Sequence, residues 1–253
     1  MHRDELVGFL DATLELERFG SDSSNNGLQI EGRDEVKKVL FAVDGCQEVF
    51  DRAVEEGAQF VFVHHGLSWG GGIKRWVGID ARRFRTLFAS GISLYAAHLP
   101  LDAHPVYGNN AVLGDIVGLK NRQPFFEYAG VKIGFSGELP RSCTVAKLAA
   151  KLGDALEIEP VLRGDREKPV RRAAIVSGGG GMDSVFAAKE AGADVLITGE
   201  LEHVMHHVAL ETGVAVIALG HYASETTGPL AMQKLVAEKF GVDTVFAEAE
   251  TGL

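Results

Sequence analysis

Residues 54–66, VEEGAQFVFVHHG, carry the pattern that decides the fold: a helix end, a glycine turn, a buried strand and two histidines. Residues 188–200, AKEAGADVLITGE, repeat this pattern with a carboxylate after the strand. The next segments also correspond, because SGISLYAAHLPLD (90–102) and TGVAVIALGHYASE (212–225) each place a glycine turn and a strand before a histidine and a carboxylate. We interpret this weak duplication as two related α/β halves.

Strand-like and helix-like patterns alternate along the chain, which is typical of α/β proteins with mostly parallel sheets. The predicted strands cover 39–44, 60–63, 92–97, 131–136, 173–177, 194–198, 215–219 and 244–248. The predicted helices cover 4–18, 46–56, 80–90, 109–118, 143–152, 183–191, 201–212 and 225–240. We expect an N-terminal lobe at 1–122 and a C-terminal lobe at 123–253, with a linker near 120–130 and with the last helix and strand able to pack on the first lobe.

The composition excludes several classes of protein. No apolar run approaches the ~18–20 residues that span a bilayer, and the acidic, amphipathic N-terminus is not a secretory signal. The 25 basic and 35 acidic residues give a net charge of −10, which disfavours binding to nucleic acid. Cys46 and Cys143 lack the spacing of a disulfide framework or a zinc finger. We therefore expect a cytoplasmic protein without membrane contact.

Histidines and carboxylates follow four of the predicted strands. Ligands of open α/β sheets bind at the carboxyl ends of the strands, so these side chains are candidates for one site. They are His64, His65, His98, Asp102, Glu200, His221 and Glu225. A single histidine at a strand end is usually a polar cap or a hydrogen-bonded core residue, but their convergence favours metal binding. Imidazole and carboxylate together suit Zn, Fe, Mn, Co or Ni, and the number of ligands predicts two divalent ions between the lobes, bridged by hydroxide.

The spacing of these residues sets geometric conditions. Glu225 lies four residues after His221, so both side chains share one face if a helix begins there. His64 and His65 point in opposite directions in a regular strand, so both reach one site only if the strand ends or bulges. Gly66 permits such a departure.

Two further motifs leave alternatives open. The glycines at 178–181, in IVSGGGGMDSV, follow a strand and precede a helix, so they could cradle a phosphate or form a tight turn. The basic segment 74–85, in IKRWVGIDARRFR, could steer an anion or form a solvated helix face. The HVMHH motif (203–207) lacks the glutamate of a metalloprotease helix.

Several of these motifs together resemble the NIF-three-like family, whose bacterial members are often labelled GTP cyclohydrolase 1 type 2 homologs. The resemblance rests on HHGLSW (64–69), AAHLPLD (96–102), GHYASE (220–225), NGLQI (26–30) and ITGELEH (197–203). It implies a two-lobed α/β protein with a dinuclear metal centre that assembles as a ring-like hexamer, a trimer of dimers. The chain departs from the family pattern at Gly66, where proline is common, and at Pro100 and Leu101.

Residue roles follow from the same resemblance. The implied metal ligands are His64, His65, Asp102, His221 and Glu225. His98 and Glu200 match family positions that face the ligands or the substrate, and either could transfer a proton. The predicted function is a metal-dependent hydrolase acting on a small phosphorylated or nucleobase-type substrate. The alternative is a non-catalytic metal-binding ring scaffold or regulatory protein, able to associate with nucleic acid through the basic segment.

Overall fold

The computed structural model describes residues 1–253. The strands are β1 (Gly27–Ile30), β2 (Lys38–Asp44), β3 (Phe60–His65), β4 (Ser93–Ala96), β5 (Lys120–Tyr128), β6 (Val131–Thr144), β7 (Val161–Arg163), β8 (Pro169–Val176), β9 (Val195–Thr198), β10 (Ala215–Ala218) and β11 (Asp243–Phe246). The α-helices are α1 (Arg3–Leu14), α2 (Gln47–Glu55), α3 (Gly78–Ser90), α4 (Leu99–Ala103), α5 (Asn109–Val117), α6 (Val145–Leu156), α7 (Gly181–Glu190), α8 (Met205–Thr212), α9 (His221–Glu225) and α10 (Thr227–Phe240). None of the helices combines the length and the apolar character needed to cross a lipid bilayer.

The chain folds into two compact units. Unit 1 consists of Met1–Leu101 and Pro229–Ala249, and unit 2 consists of Asp102–Gly228 and Glu250–Leu253. The division falls at residue 101, whereas the sequence placed the lobe boundary at 122. The physical reason is that α5 packs against α6 and β6 of unit 2. Strand β11 pairs in parallel with β2, and this pairing includes the last strand in the sheet of unit 1.

The sheet of unit 1 has the strand order β1-β4-β3-β2-β11. All neighbours are parallel except β1, which runs antiparallel to β4 at one edge. The central strand β3 is completely buried from Phe60 to Val63, as expected of a parallel strand covered on both faces. The ring of Phe62 packs 5.4 Å from that of Phe41 and 5.6 Å from that of Tyr95. This packing holds β3 in place, and His64 and His65 lie at its carboxyl end.

The sheet of unit 2 has the order β5-β6-β8-β9-β10-β7. Its centre, β8, β9 and β10, is parallel, and the outer pairings are antiparallel. The core lies where α5 and α6 cover the sheet, with Leu113, Leu148, Leu152 and Ile197 buried. The predicted α/β class with mostly parallel sheets is therefore confirmed in both units.

The predicted linker near 120–130 is wrong, because these residues form strand β5 and its turn. β5 pairs antiparallel with β6, and the two-residue turn Ala129–Gly130 has positive φ angles of 49° and 79°, as tight hairpins require. β5 is an edge strand in which Phe125 is the one buried residue, and Pro124 is tolerated there. A polar edge strand and a linker have the same composition, which explains the error.

The internal duplication corresponds to matching local structure in the two units. Gly57 follows α2 with φ 65°, and Gly192 follows α7 with φ 68°. In both cases the next alanine donates its backbone N–H five residues back, from Ala58 to Ala53 and from Ala193 to Ala188. Each turn then leads into a buried parallel strand, β3 or β9.

Candidate metal-binding residues

His64 and His65 both lie within β3, which continues through the second histidine. His64 is fully buried, and its Nδ1 donates to the carbonyl oxygen of Ala97 at 2.9 Å. The Nδ1 atom of His65 donates to Asp44 Oδ1 at 2.8 Å, and Asp44 is its pairing partner on β2. The two ring centroids are 4.5 Å apart. The adjacent imidazoles therefore stay close together although their backbone positions alternate.

Gly66 is required by the close approach of two side chains. A Cβ atom at this position would lie 2.5 Å from Ala96 Cβ and 2.5 Å from Gln29 Oε1. Gln29 Oε1 accepts the backbone N–H groups of Leu67 and Ser68 at 2.8 and 3.0 Å. Gln29, from the NGLQI motif, thus occupies the space that a larger residue at position 66 would need.

His98 is held by an aspartate and an asparagine that lie far away in sequence. Its Nδ1 donates to Asp22 Oδ1 at 2.9 Å, and its backbone N–H donates to Asn26 Oδ1 at 2.7 Å. The second Asp22 oxygen accepts from Asn26 Nδ2 and from the backbone of Leu99. Burial raises the pKa of Asp22, but the hydrogen bonds from His98 and Asn26 outweigh it and leave the pKa below its ordinary value.

These three histidines form one cluster in unit 1, which we call the imidazole set: His64, His65 and His98. One ring nitrogen from each lies within 4.8 Å of the others. In each case Nδ1 donates to an oxygen acceptor, so Nε2 is the nitrogen able to bind a metal. Such acceptors are typical partners of metal-binding histidines, since they fix the tautomer and the ring orientation.

Asp102 is buried in unit 2 at the first turn of α4. Its Oδ1 accepts from Asn109 Nδ2 at 2.9 Å and from Ser177 Oγ at 3.1 Å. The Asn109 side chain also accepts the backbone N–H of Gly228 at 2.7 Å. A buried carboxylate is stable only with such donors or with a cation, so this position suits a metal ligand.

His221 and Glu225 lie on one face of α9, as their spacing predicts. His221 Nε2 is 3.2 Å from Glu225 Oε2, and Glu225 is almost fully buried. His221 Nδ1 donates to Glu200 Oε1 at 2.6 Å. The hydrogen bond with Glu225 raises the pKa of His221 to about 9, with Glu200 adding to the rise and burial opposing it. Glu200 therefore orients His221 in the way that Asp44 orients His65.

The glycines at 178–181 leave space for the side chains of His221, Glu225 and Glu200. Gly178 has φ 61°, and a Cβ atom there would overlap Glu225 Oε1 and lie 3.1 Å from His221 Nε2. A Cβ on Gly179 would lie 3.5 Å from Glu200 Oε2. Carboxylates at this distance repel a phosphate, so the geometry favours the tight turn over the phosphate cradle.

The second cluster, which we call the carboxylate set, consists of Asp102, His221 and Glu225 in unit 2. Glu225 offers a carboxylate oxygen within 4.8 Å of an oxygen of Asp102 and of a nitrogen of His221. Oxygen and imidazole nitrogen ligands fit Zn, Fe, Mn, Co or Ni. Both sets are thus candidate metal-binding groups by the chemistry of their donors.

Four supporting residues were missed in the sequence: Asp22, Asp44, Asn109 and Ser177. Asp44 and Ser177 each follow the buried part of a predicted strand, and this signal could have identified them. Asp22 and Asn109 carry no such signal, because their partners His98 and Asp102 come together with them only in the folded chain.

Comparison with known proteins gives one consistent family. The family model described as Duf34/NIF3 (NGG1p interacting factor 3) matches residues 1–252. Proteins named GTP cyclohydrolase 1 type 2 homolog are 47% identical over 253 residues in Archaeoglobus fulgidus and 46% identical over 256 residues in Pyrococcus horikoshii. In both cases the alignment covers 100% of this chain and 100% of the relative.

A solved structure supports the same relationship. The protein TTHA1606 from Thermus thermophilus is 40% identical, with a TM-score of 0.90 and full coverage of both chains. The resemblance seen in the sequence motifs is therefore confirmed over nearly the whole chain. The chain belongs to the Duf34/NIF3 family.

Proposed function

We propose that the imidazole and carboxylate sets together bind two divalent metal ions and that the protein is a metal-dependent hydrolase. The observation that carries this proposal is the orientation of the histidines: His64, His65, His98 and His221 each have Nδ1 bonded to an oxygen acceptor. Metal-binding histidines almost always donate their other ring nitrogen in this way, so the arrangement supports metal binding at Nε2. The proposed ligands are His64, His65, Asp102, His221 and Glu225.

The residues around the ligands have separate tasks in this proposal. Divalent ions bound there would lower the pKa of a water molecule and stabilise the negative charge that develops on the substrate. His98, held by Asp22, would accept or donate a proton at Nε2. Glu200 is 42% exposed at its side chain and would transfer a proton to or from solvent while it orients His221.

The proposed substrate is a small phosphorylated or nucleobase-type molecule. Its support is the name GTP cyclohydrolase 1 type 2 homolog carried by relatives at 46–47% identity. Fold and family do not fix the substrate, so the chemistry needs its own test. A panel of phosphoesters and cyclic nucleobases should be screened with the metal-loaded protein, with the double variant His64→Ala/Glu225→Ala as the blank.

Metal binding is tested by substitution of one ligand from each set. We expect His64→Ala and Glu225→Ala to lose metal while they remain folded, because each removes a donor from a cluster of candidate ligands. The measurement is metal content per chain by elemental analysis after dialysis, with circular dichroism for the fold. His203→Ala and Glu211→Ala, which change exposed residues outside both sets, are the matched controls. Full metal content in both ligand variants would contradict the assignment.

A non-catalytic scaffold is the second candidate, and an exposed surface favours it. Trp76 and Phe88 are 56% and 57% exposed and both lie against the ring of Phe84, so they form one exposed apolar surface of the kind that binds another protein. In this version the metal ions are structural and the chain assembles as a homohexamer, a trimer of dimers. Metal binding without turnover on any substrate of the panel would favour the scaffold.

A further inference from the structure

Trp69 contacts the imidazole set from within unit 1. Its indole ring lies edge-on to the ring of His98, with centroids 5.1 Å apart, and its centroid is 6.2 Å from that of His65. Its Nε1 atom donates to the carbonyl oxygen of Gly66 at 2.8 Å. The residue is still 37% exposed. The indole is therefore held against the histidines while part of the ring remains accessible.

The backbone around Trp69 is held in place by the segment before β1. Trp69 forms an isolated β-bridge with Ser24, and Gly70 donates its N–H to the carbonyl oxygen of Ser23 at 2.7 Å. Asn25 donates its backbone N–H to Ser68 at 3.0 Å. The indole is thus a fixed wall, and a ligand could stack on it at little cost in conformational entropy.

A pocket of about 570 Å³ lies against Trp69 on unit 1. The pocket is open to solvent, and its volume is within the range of small-molecule sites. Leu67, Ile73 and Val77 supply apolar lining, and Lys74, Arg75 and Asp80 supply the charged groups. Lys74 and Arg75 are exposed, so their head groups are accessible to an anion from solution. The pocket therefore has a net positive lining on a chain whose net charge is −10.

We propose that this pocket binds the phosphate-bearing part of a small substrate with a planar ring. Lys74 and Arg75 would bind the phosphate, with the guanidinium able to donate two parallel hydrogen bonds, and the ring would stack on Trp69. Because Trp69 also contacts His65 and His98, the other end of such a substrate would reach the imidazole set. This inference rests on the proposed function, since it gives that hydrolase a substrate class and a binding mode.

The overall charge selects against a larger polyanion. The basic segment 74–85 carries five cations, but only Lys74 and Arg75 line the pocket, whereas a nucleic acid strand needs a basic track that extends beyond a single pocket. A single phosphate group needs only one or two cationic donors. The pocket is thus matched to a mononucleotide-sized ligand.

The sequence contains only two tryptophans, Trp69 and Trp76, so fluorescence can report on this pocket. In the variant Trp76→Phe, the emission comes from Trp69 alone. This protein should be titrated with 5′-GMP, guanosine and ribose 5-phosphate, both metal-loaded and after chelation. We expect saturable quenching by GMP and weaker binding of the other two probes, because each lacks either the phosphate or the ring.

The key comparison is between two double variants made in the Trp76→Phe background. Lys74→Ala/Arg75→Ala should weaken GMP binding roughly ten- to a hundredfold, since charge-assisted hydrogen bonds are lost. Arg82→Ala/Arg85→Ala removes the same charge from exposed positions of α3 outside the pocket and should leave the affinity nearly unchanged. Equal affinity in both double variants would overturn the proposed pocket.

Measurement of metal content distinguishes a failure of the proposed pocket from a failure of the proposed function. Unchanged GMP affinity in Lys74→Ala/Arg75→Ala with full metal content would remove the pocket and leave the metal centre. Pocket-dependent GMP binding in a His64→Ala protein without metal would support the pocket whatever the reaction is. Tighter binding of a short single-stranded oligonucleotide than of GMP would overturn the small-molecule assignment.

Discussion

At the scale of single residues, the proposed metal binding depends on which nitrogen of each histidine faces the metal. Asp44, Asp22 and Glu200 accept from Nδ1 of His65, His98 and His221, at distances of 2.6–2.9 Å. A carboxylate partner increases the basicity of the imidazole and holds its plane, so it influences metal affinity without touching the metal. These carboxylates should therefore matter nearly as much as the ligands.

Replacement of Asp44 tests this influence. We expect Asp44→Ala to weaken metal binding roughly ten- to a hundredfold, because His65 loses the acceptor that fixes its tautomer. The measurement is competition for metal with a chromogenic chelator. Asp51→Ala is the control, since Asp51 is an exposed acid on α2 whose side chain accepts from Gln47. If Asp44→Ala and Asp51→Ala bind metal with the same affinity, the orienting role of Asp44 is wrong.

Turns between elements, rather than the elements themselves, allow the carboxylate set to form. The loop from β8 to α7 approaches α9 so closely that Gly178 leaves no room for a Cβ atom beside Glu225. Ser224 Oγ accepts the backbone N–H of Gly178 at 2.9 Å and holds this loop in place. A glycine-rich sequence that resembles a phosphate loop is thus explained by close packing.

Two glycine substitutions separate backbone strain from contact with the ligand. Gly178→Ala places a methyl group against Glu225, so we expect it to reduce metal content as well as stability. Gly192→Ala has a similar positive φ of 68° but meets no atom within 4 Å, so it should cost only the strain of about 1–2 kcal/mol. Urea unfolding and metal analysis of both variants provide the comparison. Full metal content in Gly178→Ala would show that the loop does not confine Glu225.

Each of the two units, at the scale of the whole molecule, carries part of the proposed ligand set. Unit 1 contributes imidazoles, and unit 2 contributes two carboxylates and an imidazole. Ions that bind the folded chain and not the unfolded chain stabilise it in proportion to the logarithm of their concentration. Under the proposed function, metal should therefore stabilise the protein against heat.

Metal removal tests this coupling. At a free metal concentration about a hundred times Kd, binding contributes about 2.7 kcal/mol, which corresponds to a Tm change of roughly 5–10 °C for a chain of this size. We expect a chelator to lower Tm by this amount in the wild-type protein. The chelator should have little effect on His64→Ala, which is the control. A wild-type Tm that does not respond to the chelator would contradict tight binding.

Local sequence patterns determined the class of fold and most of its elements. The eight predicted strands are all present, and most of them are parallel strands whose apolar runs are easily recognised in the sequence. The unpredicted strands β1, β5 and β7 all lie at sheet edges, where half-exposed polar sequences resemble loops. The resemblance between a polar edge strand and a loop also explains why residues 120–130 were wrongly predicted to be a linker.

Local patterns also identified the candidate ligands, since a histidine at the end of an apolar strand can be recognised from sequence. The tertiary structure alone decided which groups support those ligands. His98 meets Asp22 across 76 positions, and Asp102 meets Ser177 across 75, and no local pattern encodes such contacts. The sequence by itself therefore determined most of the elements and the residue types of the candidate ligands. Only the packing of distant segments decided the orientation of each imidazole and the room left beside Gly66 and Gly178, because these depend on atoms that approach one another only in the folded chain.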